Sequence, residues 1–81
     1  DNEEAQLQAE RNQTESLRNQ TIHLLLDFRM DYVEAQLKEI QDKMRTVAND
    51  MEQLKALMEQ FRDMQMLRNQ LARQLGSNIV V

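Results

Sequence analysis

Residues 26–61 read LDFRMDYVEAQLKEIQDKMRTVANDMEQLKALMEQF. Leu26, Met30, Val33, Leu37, Ile40, Met44, Val47, Met51, Leu54, Met58 and Phe61 follow one another in alternating steps of four and three without a miss. An α-helix turns about every 3.6 residues, so this spacing draws one apolar stripe down one side of a helix. A strict seven-residue repeat drifts relative to a straight helix and needs a partner helix wound along the stripe. The stretch therefore predicts a coiled coil, in an all-α chain.

Composition extends that reading. Of 81 residues none is Pro, Trp or Cys, and there is a single Gly, at position 76. Glu, Gln, Arg, Leu, Met and Ala dominate, and all are good helix formers. With no Gly or Pro to supply a turn between residues 5 and 75, the pattern predicts one long uninterrupted helix, not a hairpin. A helix from residue 3 to 75 would measure ~110 Å. One helix cannot bury its own stripe, so identical chains are expected to supply the partners.

Three stretches follow. Residues 1–21 form a polar N-terminal helix, expected to pair weakly. Its better frame has Leu7, Thr14, Thr21 and Phe28 in one column and Glu10, Leu17 and Leu24 in the other, a half-polar core. Residues 22–75 form the coiled-coil core, with frame shifts near 22–32 and 61–68. At the first, Leu25, Phe28 and Tyr32 lie off the main seam; a local repacking is the simpler reading, a docking patch for another helix the sharper one. Beyond the second, Met64, Leu67, Leu71 and Leu75 carry the seam onward in steps of three, four and four. Residues 76–81 are expected to be a helix stop and an extended tail, with Gly76 taking the left-handed conformation after the last turn. The tail residues Ile79, Val80 and Val81 are similar to an apolar C-terminal peptide for a PDZ groove, though a linker or the start of a following domain is the simpler account.

Oligomer number is argued from the core. With Met30 at position a, the a column is Met and Leu, while d holds Val33, Ile40 and Val47. That is the reverse of the parallel-dimer preference and favours more strands. Arg29-Met30-Asp31-Tyr32-Val33-Glu34 resembles the short trimer motif of parallel coiled coils, and the resemblance implies that Arg29 bridges to Glu34 of a neighbouring helix. A homotrimer is therefore expected, with dimer or tetramer as alternatives. In a parallel alignment Asp50 would also meet Lys55 across chains, and these exposed pairs would choose orientation more than they stabilise.

The same inventory bounds function. Net charge is −4; residues 1–21 hold five acids and two bases, whereas residues 59–81 hold two acids and three bases. No basic stripe or aromatic platform suggests nucleic acid, and no long apolar run suggests membrane insertion. His23 is the only His and there is no Cys, so no catalytic constellation, cofactor site or metal site is expected. His23 and Asp27 sit one turn apart, more simply as surface residues than as ligands. Asn12-Gln13-Thr14 and Asn19-Gln20-Thr21 match the N-glycosylation pattern, but they are copies within a heptad repeat. A cytoplasmic setting is favoured over an extracellular one. The opening Asp1-Asn2-Glu3-Glu4, with no initiator Met, suggests a fragment or a processed chain. The expected role is a structural homo-oligomerisation stalk and rigid spacer, not an enzyme. The alternative is a recognition module that docks another helical protein through residues 22–32 or the tail.

Overall fold

The computed structural model describes residues 1–77. Two helices account for almost all of them: α1, Asn2–Thr46, and α2, Met51–Gly76. They fold back on each other as an antiparallel hairpin, so the molecule is a rod with extents of 73 × 14 × 13 Å. The expected single uninterrupted helix is corrected here, and with it the ~110 Å length.

The break is made without glycine or proline. The N–H of Val47 donates to the carbonyl of Met44 at 3.3 Å, and the N–H of Asp50 donates to the carbonyl of Val47 at 2.9 Å. These are the short three-residue reaches that tighten a last helical turn. The Thr46 hydroxyl donates to the Lys43 carbonyl at 2.7 Å, satisfying another acceptor at the end of α1. Asp50, at φ −109° and ψ 99°, caps α2. Its Oδ1 accepts the Gln53 N–H at 3.1 Å and its Oδ2 accepts Gln53 Nε2 at 2.9 Å. No described residue has positive φ. A turn built wholly from negative φ places no demand on glycine, which is why the glycine and proline signal was silent.

Asp1 begins α1 by accepting the Glu3 N–H at 2.9 Å, with Glu3 and Glu4 in the first turn, where the helix dipole favours acids. At the far end, α2 stops within a residue of the expected place but by another route. Gly76 is the last helical residue, and Ser77 leaves the helix in extended conformation, at φ −87° and ψ 140°. The left-handed Gly76 cap is therefore corrected. The expected tail beyond Ser77, including Ile79, Val80 and Val81, lies outside the described residues.

The core runs along the contact between the helices. α1 buries Leu26, Val33 and Ile40, one heptad apart, and α2 buries Leu71. Ile22, Met30, Leu37, Met64 and Leu75 pack around Leu26, Val33 and Leu71. α2 is much shorter than α1, and the whole of residues 1–21 is exposed. The N-terminal arm of α1 thus projects beyond the hairpin.

Candidate interaction surfaces

The heptad stripe divides at the turn. In α1 the column Leu26, Val33 and Ile40 faces α2, with Met30, Leu37 and Met44 half-buried beside it and Val47 half-buried in the turn. In α2 the half-buried residues are Leu54, Leu57, Phe61, Met64 and Leu75, flanking buried Leu71. Met51 and Met58 lie outside the intrachain contact, at 75% and 58% exposure, and Leu67 sits at its margin. Leu57, which the unbroken frame leaves aside, takes a place in the contact instead. Four non-helical residues separate the helices, so α2 meets α1 with a stripe whose phase the α1 repeat does not set.

The charged residues are redistributed in the same way. Arg68 Nε stands 3.5 Å from Glu34 Oε1, bridging the two helices of one chain. Asp50 is occupied as the cap of α2. Arg29 and Lys55 are exposed on α1 and α2. Lys43 pairs with Glu39, and Arg45 with Asp42, along α1. All of these are solvent-accessible pairs, of the kind worth about 0.2–1 kcal/mol.

On α1 the large exposed apolar side chains are Leu7, Leu17, Leu24, Leu25, Phe28 and Tyr32. At about 100° per residue they all fall within roughly 100° of arc. The middle of that arc lies roughly 130° round the helix from the Leu26–Val33–Ile40 column. α1 therefore carries two apolar faces. One is covered by α2; the other runs from the arm onto the outer side of the hairpin and is open. The second frame of the sequence, Leu7, Thr14, Thr21 and Phe28, lies on this open face. Thr14 and Thr21 donate their hydroxyls to the carbonyls of Glu10 and Leu17, at 2.9 and 3.0 Å. Covering these threonines would strand no hydroxyl donor, so the face is less polar than its composition reads.

His23 and Asp27 line an open concavity on α1 with Asn12, Glu15, Ser16 and Asn19. Among the described residues no three His, Cys, Asp or Glu side chains come together as a metal-binding group. Among the same residues no helix is long and apolar enough to cross a membrane.

Fold and surface together define an all-α helical hairpin with one apolar face left open. The chain belongs to the family described as a domain of unknown function, DUF8430, whose model matches residues 2–80. No curated protein and no solved structure matches the chain.

Proposed function

We propose that this chain is a structural self-association module: hairpins of identical chains are joined through the open face of α1, and the length of α1 sets the spacing of whatever the assembly carries. The observation that carries the reading is the confinement of α1's exposed large apolar residues to one continuous face. Apolar residues scattered singly need no explanation, whereas a stripe at helical spacing signals a partner. A two-helix hairpin with four buried side chains among the described residues also holds little core of its own. Association would supply the remainder.

The assembly proposed is one of hairpins. A parallel three-stranded stalk would need Leu26, Val33 and Ile40 for its seam and Glu34 for its interchain bridge. Those residues already serve α2. The role is taken to be structural, without catalysis.

A second reading is docking of a different helical protein on residues 22–32. It is favoured by the exposure of Phe28, at 75%, and of Leu25 and Tyr32 beside it.

Sedimentation equilibrium of the 81-residue chain tests the proposal. A discrete oligomer is expected, with helicity and melting temperature that rise with concentration, because association stabilises by mass action. A monomer over a hundredfold concentration range would overturn self-association and leave the docking reading.

A further inference from the structure

We infer that two copies of this chain exchange α2: the turn at Val47–Asp50 straightens, and α2 of each copy packs on α1 of the other in an antiparallel dimer. The exchange goes beyond the self-association of hairpins proposed above. It uses the seam between the helices and leaves the open face of α1 uncovered in both copies.

The first observation is what the hairpin leaves out of its seam. The apolar repeat crosses the turn without a miss, as Met44, Val47, Met51, Leu54, Met58 and Phe61. Leu54 and Phe61 are half-buried in the hairpin, yet Met51 and Met58 are 75% and 58% exposed. A repeat that continues through a reversal of the chain covers nothing there. On a straight helix the same residues form one face for a partner.

The second observation is the register. Within the hairpin Glu34 stands beside Arg68. Let two straight antiparallel copies keep that juxtaposition. Stepping forward from Glu34 and back from Arg68, residue for residue, then sets Met44 opposite Met58 and Met51 opposite Met51 of the second copy. Between these layers Val47 faces Leu54, and Ile40 faces Phe61. Contacts made far from the turn thus align the apolar residues of the turn itself. Leu57, which the hairpin seam uses, gives way to Met58. The packing of Leu71 with Leu26 and Val33 forms between copies as it does within one. Twofold symmetry makes every such contact occur twice.

The hinge permits the change. Val47, Ala48, Asn49 and Asp50 all have negative φ, and none is Gly or Pro. Each therefore reaches the helical region without steric conflict. Short hinge loops of this kind invite exchange between identical chains. Straightening gives up the Asp50 cap on Gln53 and sets Asp50 of the two copies on the same side of the dimer, like charge near like. Those terms favour the hairpin in dilute solution. Mass action favours the dimer as concentration rises. The dimer would be a rod of ~145 Å with an α1 arm at each end, against 73 Å for the hairpin.

Chains spin-labelled at both Asp27→Cys and Arg73→Cys would be unfolded with a large excess of unlabelled chain and refolded at high concentration. Dimer and monomer would then be separated by size. In the dimer the two labels of one chain should stand ~69 Å apart. In the monomer they should lie within roughly 20 Å, on helices whose axes are about 8–10 Å apart. A dimer with only the short distance would overturn the exchange and leave association through the open face standing. Absence of any oligomer would overturn both. Two variants act on the hinge in opposite directions. Met51→Pro suits the first position of α2, because Asp50 before it is already extended, at φ −109° and ψ 99°. It breaks a helix that runs straight through. The variant should keep the hairpin's helicity and lose the long distance; a long distance that persists would overturn the inference. Asn49→Ala with Asp50→Ala removes the cap and favours helix across the turn. It should raise the dimer fraction several-fold, and no rise would also overturn the inference.

Discussion

Arg68 Nε lies 3.5 Å from Glu34 Oε1, so the acid whose motif points to a neighbouring chain is met by a base of its own chain, on the returning helix. Both side chains are about half exposed, at 46% and 50%. An ion pair of that exposure fixes alignment more than it adds stability. It places the C-terminal half of α2 beside the C-terminal half of α1, consistent with the packing of Leu71 with Leu26 and Val33.

A double-mutant cycle of Arg68→Ala and Glu34→Ala should therefore give a coupling energy below about 1 kcal/mol by thermal or urea unfolding. A coupling of several kcal/mol would mean the pair is shielded from water in solution.

Hairpin and straight rod separate most cleanly by distance. Spin labels on Asp27→Cys and Arg73→Cys would stand ~69 Å apart on one continuous helix. On two packed helices, whose axes lie about 8–10 Å apart, the labels should instead be within roughly 20 Å or so. A pulsed electron–electron measurement dominated by the long distance would rule out the hairpin.

Asp50→Ala removes the side chain that holds the Gln53 N–H and its amide. The loss of a cap costs roughly 0.5–2 kcal/mol. A lowered melting temperature with little change in helicity at low temperature is expected. No change in melting would mean that the turn is held by the contact between the helices rather than by its cap.

Leu71 and Met51 are predicted to behave differently although both belong to the same apolar repeat. Leu71 is 4% exposed and Met51 is 75% exposed. Leu71→Ala should destabilise by about 2–5 kcal/mol, because it removes buried methyls and leaves a cavity. Met51→Ala should stay within about 0.5 kcal/mol, as surface changes usually do. Equal losses in urea melts would place Met51 in a covered seam.

Much of this molecule was legible in its residues, for local reasons. Helix formers without Pro read as helix, and the structure is helix. The four-and-three spacing of Leu26, Val33 and Ile40 marks them as a core column, and they are buried. Residues 1–21 of α1 are wholly exposed, whereas Leu26, Val33 and Ile40 are buried, so the apolar residues of the arm lie on another side of the helix from the covered column.

The sequence by itself determined that this chain is helical and that its apolar stripe requires a partner helix, because propensity and periodicity act within a few turns. Only the tertiary structure decided where that partner comes from. Val47–Asp50 turns with negative φ throughout, so it carries no glycine or proline, and a heptad count runs across it unbroken. The signals that remain are Asp50 with Gln53 three residues on, and the β-branched pair Thr46–Val47; each also occurs harmlessly on a continuous helix. Which of two compatible helix pairings wins depends on contacts between residues far apart in the chain, such as Leu71 with Leu26 and Arg68 with Glu34. No periodicity encodes those contacts, because periodicity fixes the face of a helix and not the helix that covers it.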